Sequence, residues 1–455
     1  MSCAREEHSH PPADFGPSDA AAAPAVSAHE TGNLLTLALH QILLRVGWTF
    51  KAEGILVPAF LDTVIDDGRL RGCLPLVSRL GQSIVPVFSV RALQAMRRKK
   101  WALALFAAMI GLPYLALAGI WWRFGGQKAW WIASLFLAMH FAFFIFYGLY
   151  LVSFGTVQGK LIRPTRRGRL LWGATFVGLF PTIVFCRWLM PGWLSPAVPG
   201  YSYLFLFVGG SFLLSAAATC LLAEPAGNDC PAAAADPQNS LHEAWQVFRR
   251  DANLRRLAVV IFLFGLLSVT IPHYQNFARK RLGLSEDDHV RNLVLMVITQ
   301  TTAVSLYSLL VGPIADRWGN RLTLRALLFG LALAPMYVVA LTSGPGERGG
   351  HLFWMVFILL ALAPLVPTIL INYSLEMCEA EDHPRYVSLV NLAMMPPFLL
   401  SPLVGGLVQA IGFRQVAVAS AVLMLLGTAL TFWLDEPRHR APEAAAPVRH
   451  PLADE

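Results

Sequence analysis

Gly312-Pro313-Ile314-Ala315-Asp316-Arg317-Trp318-Gly319-Asn320-Arg321 is the stretch whose reading decides the fold. It joins two long apolar segments, 292–311 and 322–341. Each of its small and charged residues has a physical use between two membrane-length runs. Gly312 lets two helices approach closely, and Gly319 permits a turn that a side chain would block. Asp316 suits the positive end of a neighbouring helix, while Arg317 and Arg321 sit among lipid phosphates.

The surrounding chain supplies the membrane. Of 455 residues, 56% are hydrophobic and 14% charged, with a mean hydropathy of +0.54. A soluble domain carries about 25% charged residues. Twelve stretches approach or exceed the ~20 residues that cross the hydrocarbon core. Their continuous apolar character excludes the alternation of a β-barrel. The spans are expected near 34–63, 73–95, 101–121, 130–157, 170–189 and 201–223, then 254–277, 291–313, 321–342, 351–375, 386–410 and 413–434. The chain therefore divides into a disordered cytosolic tail (1–33), a six-helix bundle (34–223), a linker (224–253), a second six-helix bundle (254–434) and a tail (435–455). Residues 1–33 lack the apolar core of a signal peptide. Within the linker, Leu241, Ala244, Trp245 and Phe248 share one helical face beside Arg249 and Arg250, the pattern of a helix lying on the membrane surface.

The net charge of +8 does not point to nucleic acid, because the basic clusters flank spans on alternate loops. With both termini in the cytosol, 22 of the 36 Lys and Arg fall on the cytosolic side and 11 on the outer side. That bias sets the orientation. Thirty Arg against six Lys favours a GC-rich bacterium, hence an inner membrane. The six cysteines are scattered, without C-x-x-C or zinc spacing, so neither a metal nor a cofactor is expected. Neither a G-x-S-x-G nucleophile motif nor a phosphate-binding G-x-x-x-x-G-K loop appears, which argues against an enzyme and against ATP-driven transport.

The G-x-x-x-D-R-x-G-x-R form of Gly312, Asp316, Arg317, Gly319 and Arg321 resembles the cytoplasmic loop signature of major facilitator superfamily (MFS) transporters. The two nearly equal halves resemble the parallel repeats of that superfamily. The resemblance implies an all-α fold of twelve transmembrane helices in two pseudo-symmetric bundles, a solute site between them near mid-membrane, and a cytoplasmic gate at the signature. The first-half copy is degraded: Gly81-Gln82-Ser83-Ile84-Val85-Pro86 leads on to Arg91 and Arg97–Lys100 without the Asp-Arg-x-Gly core. Span 4 lacks the Arg common in proton-coupled antiporters, and span 5 lacks the G-P-x-x-G-G element of drug/proton antiporters.

Polar residues inside the spans mark the candidate site. Gln41, Arg45, Thr49 and Glu53 recur every four residues as one slanted stripe on span 1. Arg45 lies ~16 Å into the span, close to the midplane. Lys51 and Glu53 share no helical face unless Gly54 breaks the helix. Arg79 and Gln82 share a face of span 2. Arg45, Lys51 and Arg79 against Glu53 leave two positive charges in excess, as in a cavity for an anionic or strongly hydrogen-bonding solute, with Glu53 balancing charge or carrying a coupling proton. A structural reading stands beside it, in which Glu53 pairs with Arg45 or Arg79 to lock spans 1 and 2. His140 and Tyr147 in span 4 share an aromatic face. His273 and Asn276 in span 7 suit an outer gate or the cap of an unwound helix end. Gln300 and Tyr307 in span 8, with Asn372 in span 10, complete the hydrogen-bonding candidates.

The expectation is a secondary transporter that moves a small polar or anionic organic solute by alternating access, with protons as a candidate coupling ion and the lipid bilayer as its surroundings. A monomer suffices for this architecture, and no nucleic-acid partner is expected. An exporter of lipophilic compounds and a non-transporting sensor or scaffold on the same fold are the alternatives.

Overall fold

The structure is a computed structural model that describes residues 17–94, 98–194, 200–225, 245–282, 285–343, 352–379 and 382–436. Helices α1 (Pro17–Lys51), α2 (Leu56–Val64), α3 (Gly68–Gln94), α4 (Lys99–Phe124), α5 (Trp130–Leu161), α6 (Pro164–Trp188), α7 (Met190–Trp193) and α8 (Gly200–Thr219) form the first half. A helical segment at 245–250, α9, precedes the second half. That half comprises α10 (Ala252–Ser268), α11 (His273–Leu282), α12 (Glu286–Trp318), α13 (Asn320–Leu341), α14 (Val356–Leu360), α15 (Val366–Glu376), α16 (His383–Ala393), α17 (Met395–Leu399), α18 (Ser401–Ile411) and α19 (Phe413–Leu430). No strand occurs among the described residues.

Nine helical stretches among the described residues are long and apolar enough to cross a membrane. The other three expected spans fall on α1–α2, on α3 and on α6, whose apolar part is 173–188. The protein is thus an all-α, multi-pass membrane protein. Exposed tryptophans form two belts: Trp122, Trp130, Trp131 and Trp188 at one face, and Trp101, Trp245, Trp318 and Trp433 at the face where α1 begins and the described residues end. Indole suits the water–lipid boundary on both sides. These are the distal and terminal faces, respectively.

Helix α1 starts at Pro17, well before the expected span at 34, and Glu30 and Asn33 are buried. The reason is a set of polar clasps on the terminal face that repeats between halves. Asn33 donates to the Ala223 carbonyl (2.9 Å) and accepts from the Ala223 N–H (2.8 Å). The next residue, Glu224, caps α4 by accepting from the N–H groups of Lys99 (3.0 Å) and Lys100 (2.7 Å), and pairs with Lys160 at 3.1 Å. In the second half Asn253 accepts from the Asp435 N–H (3.0 Å), and the next residue, Glu436, pairs with Arg321 at the start of α13 (3.0 Å). Each clasp ties a bundle's first helix, its last helix and a middle helix by satisfying helix-end groups that would otherwise lack partners. Glu30 adds a further tie, accepting from Arg163 at 2.6 Å and lying 3.3 Å from Arg166. The Arg163 hydrogen bonds hold its carboxyl down at about 2.

In the linker, Leu241 and Ala244 lie outside the described residues; Trp245 stacks on Phe248, with the Arg249 guanidinium 5.1 Å from the indole centroid.

The two halves are joined unevenly. The apolar core of the first half runs on into the distal part of the second, through Tyr274, Phe353, Phe357 and Phe413. On the terminal side the second half keeps a separate core around Leu254, Leu324, Leu370 and Met424. Between the halves, α3 packs on α18 and α12 on α6. The α3–α18 contact is close because Gly68 faces the Gly405 backbone, and a Cβ on Gly72 would lie 2.5 Å from the Ser401 carbonyl. Glycines of this kind let membrane helices touch backbone to backbone.

Candidate functional site

A cavity of about 670 Å³ lies between the halves. Its first-half wall includes Gln41, Arg45, Thr49 and Glu53 from span 1, Arg79 and Gln82 from α3, and Tyr147 from α5. Gln300 joins from α12. The period-four stripe and the α3 pair thus face the same space.

Both halves break their first helix beside this cavity. Span 1 stops at Lys51 and resumes at Leu56, and span 7 stops at Ser268 and resumes at His273. The breaks meet: a Cβ on Gly54 would lie 2.8 Å from Cγ2 of Ile271. Tight turns satisfy part of the freed backbone, as the Ala52 and Ile55 N–H groups donate to the Thr49 and Ala52 carbonyls, each at 3.0 Å. This irregular backbone is tolerated at membrane depth because it is enclosed in protein and lines a cavity.

The first break decides how the charges pair. Glu53 lies 3.6 Å from Lys51 and accepts a hydrogen bond from Ser78. It pairs with neither Arg45 nor Arg79, so the structural lock between spans 1 and 2 does not take that form. A continuous helix would put Lys51 and Glu53 on opposite faces, and the turn at 52–55 removes that restriction. The Lys51 side chain is fully buried, its Nζ 4.3, 4.2 and 4.1 Å from the ring centroids of Trp48, Phe143 and Phe144. Three ring faces and one carboxylate compensate the desolvated ammonium. Behind Glu53, His140 Nε2 stands 4.0 Å from the carboxylate and 3.3 Å from Ser78 Oγ, while Nδ1 is 3.3 Å from the Tyr114 hydroxyl. His140 is fully buried and stands behind the wall rather than in it.

Arg45 and Arg79 instead reach across to the second half. Arg45 donates to Ser305 Oγ (2.6 Å), and Arg79 donates to the Asn391 carbonyl (3.2 Å). Three other candidates lie elsewhere. Asn372 is exposed on α15, turned to a different face from the one that lines the cavity. Tyr307 is half-buried on α12, on the same helix face as Gln300 but about two turns further along, beyond the cavity wall. His273 is buried near the distal face, and neither ring nitrogen has a hydrogen-bond partner.

Asn276 belongs to a polar cluster that reading the sequence missed. It donates to Asp62 (2.7 Å), as does Gln275 (2.8 Å), across the boundary between the halves. Arg71 pairs with Asp62 and with Asp66 (2.8 Å), and Lys280 pairs with Asp66 (2.9 Å). Gln409 accepts from the Gly68 N–H (3.2 Å), and Ser401 donates to the Gly72 carbonyl (2.6 Å). Together these join the two halves at the distal face. The overlooked signal was Asp62, an acid inside an expected span and nine residues before Arg71.

The signature loop lies at the opposite face. Gly319 has φ +87°, a conformation costly for a side chain, and both ends α12 and starts α13. Asp316 and Arg317 are exposed, and Arg321 is held by Glu436. Gly312 differs from expectation: no atom lies within 4 Å of its would-be Cβ, so it makes no close helix contact among the described residues. In the degraded copy Gly81 does pack tightly, since a Cβ there would lie 2.8 Å from Phe144 Cβ, while the structure around Arg97 lies outside the described residues. Among the described residues no group of His, Cys, Asp and Glu has the arrangement of a metal site.

The Major Facilitator Superfamily sequence model matches residues 74–374 and 303–454. No curated protein matches the sequence. Among solved structures, a point mutant of the nucleoside transporter NupG superposes with a TM-score of 0.68 at 12% identity, covering 89% of this chain and all of that one (100%). A D-xylose-proton symporter gives 0.62 at 14% identity, covering 90% and 98%. A bacterial homologue of the human lysosomal transporter Spinster, inward-facing and unoccupied, gives 0.59 at 14% identity, covering 90% and 97%. At such identities the likeness is one of fold. The length of the family match, taken with the fold, decides membership: the chain belongs to the Major Facilitator Superfamily.

Proposed function

We propose that this membrane transporter moves a small polar or anionic organic solute by alternating access, driven by an ion or solute gradient and coupled to protons through Glu53. The observation that carries the reading is the central cavity, which is lined by both halves and charged by Arg45, Arg79 and Glu53, beneath a distal face that the halves seal together. The bias of Lys and Arg supports a cytosolic terminal face and an inner-membrane location. The conformation is then closed to the outside. Glu53 suits proton coupling because it lines the cavity while touching Lys51 and Ser78. Protonation would release Lys51 from its carboxylate and alter the helix break that meets span 7.

A second reading, export of lipophilic compounds, draws on Met394 and Phe398, which give the second-half wall an adaptable apolar character. Proteoliposome flux of a mixed metabolite set, with and without a pH gradient, separates the readings. Proton-dependent flux that loses its pH response in Glu53→Gln supports the first. Movement of uncharged hydrophobic dyes, unaltered by Arg45→Ala or Glu53→Gln, supports the second. Folded protein that moves nothing would fit a sensor.

A further inference from the structure

The cavity's charge is shared unequally. Arg45, Arg79 and Glu53 all come from the first half, whereas the second-half wall carries no ionisable side chain. Ile261, Phe264 and Phe398 typify that wall, and Ser268, Gln300 and Thr301 are its polar side chains. Glu53 is already engaged by Lys51 and Ser78, so those charges balance locally. The two guanidiniums remain. Ser305 and Asn391, which accept from them, are neutral, and each guanidinium keeps a buried Nε without a hydrogen-bond partner. Among the described residues no carboxylate pairs with either. Two desolvated guanidiniums held by neutral groups favour an oxyanion, which offers several lone pairs to their fixed fork of donors.

We propose that the solute is an amphipathic organic anion, with an oxyanion head taken by Arg45 and Arg79 and an apolar body laid against the second-half wall. This rests on the transporter reading above. The chemistry argues against the neighbouring classes. A cation would meet two positive charges. A sugar needs hydrogen bonds around its whole rim, and the second-half wall supplies three polar side chains. A volume of about 670 Å³ accommodates a body of one or two rings. Arg79 marks the seam, its guanidinium 5.9 Å from the centroid of the Phe398 ring. Both arginines also reach the opposite half, so an anion that replaces Ser305 and Asn391 as their acceptor changes how the halves are tied at cavity level. Occupancy and conformation are thereby linked.

The test uses the full-length protein, purified and in proteoliposomes, with four probes: phenylacetate, phenyl phosphate, the neutral isostere phenylacetamide, and acetate. Binding is read by ligand-dependent thermal unfolding, and movement by counterflow. The expected result is that one or both aromatic anions bind and move, while phenylacetamide and acetate bind at least about tenfold more weakly. Arg45→Gln and Arg79→Gln each lose about tenfold or more in anion affinity while unfolding near the wild-type temperature. Arg45→Lys, which keeps charge but loses the fork, recovers part of it. If phenylacetamide binds as well as phenylacetate, or if folded arginine variants keep full anion affinity, the anion proposal is overturned and the transporter reading survives. If folded wild-type protein neither binds nor moves any of these probes or a wider set of neutral and charged solutes, both fall.

Discussion

Replacing Gly72 by Ala should unseat the distal seal. In the closed arrangement the added methyl carbon would lie 2.5 Å from the Ser401 carbonyl oxygen and 2.9 Å from Pro402 Cα, both backbone atoms. Ordinary carbon–oxygen contact requires roughly 1 Å more separation, and neither neighbour can rotate away as a side chain tip would. Overpacking of this size costs about 1–3 kcal/mol. Under the proposed alternating access α3 and α18 part when the distal face opens, so the cost would fall on the closed conformation alone. The closed-to-open ratio should then drop by a factor of about 5 to 150. Spin labels at Lys128 and Gln415, exposed distal positions on opposite halves, would read the change as a longer distance distribution by pulsed electron resonance. Gly72→Leu should shift it further. Gly155→Ala, on a helix face with no atom within 4 Å, is the control that should not. Distance distributions for Gly72→Ala and Gly72→Leu that superpose on wild type, in protein of normal thermal stability, would refute the seal.

Asp62→Asn removes the charge that Arg71 pairs with, and it should move the same label pair in the same direction as Gly72→Ala. Lys51→Ala deletes a buried cation from its three rings; with Glu53 still partly solvated, the loss should be about 1–3 kcal/mol, read as earlier unfolding in detergent. Gly319→Ala forces a side chain to φ +87° and should cost about 1–2 kcal/mol, again by thermal unfolding. Glu30 is held at about 2, below its usual 4.5, so its clasp contributes fully above pH 4.5 and is lost as pH falls through about 2. The unfolding temperature of wild type should therefore exceed that of Glu30→Gln at pH 6, and the gap should close towards pH 2. A gap that is constant with pH would assign the effect to packing instead.

The apolar runs made the helices legible, because a membrane span must be long, continuous and poor in charge. Arg45, Glu53 and Arg79 were legible for the converse reason, since charge at that depth is costly and turns to a cavity. The Lys51–Glu53 pair was not. Spacing on a regular helix separates those residues, and only the turn at 52–55, where Gly54 meets Ile271, lets them approach. The distal cluster was hidden because Asp62, Arg71, Asn276 and Lys280 sit at span edges, where charges are ordinarily solvated, and their partners come from the other half. The clasps were written as repeats, Glu224-Pro225 with Asn33 and Glu436-Pro437 with Asn253. Their meaning depends on helix ends that meet only in three dimensions. Tyr307 and Asn372 show the opposite limit: a polar residue in an apolar helix can equally lie beyond the cavity along the helix, as Tyr307 does, or turn away from it, as Asn372 does.

The most direct test of the central claim is flux through the cavity itself, measured in proteoliposomes for wild type, Arg45→Gln and Glu53→Gln under an imposed pH gradient. Solute accumulation in wild type is predicted to require Arg45 and to lose its proton dependence, though not all exchange, in Glu53→Gln. Undiminished, still proton-dependent accumulation in both folded variants would contradict it.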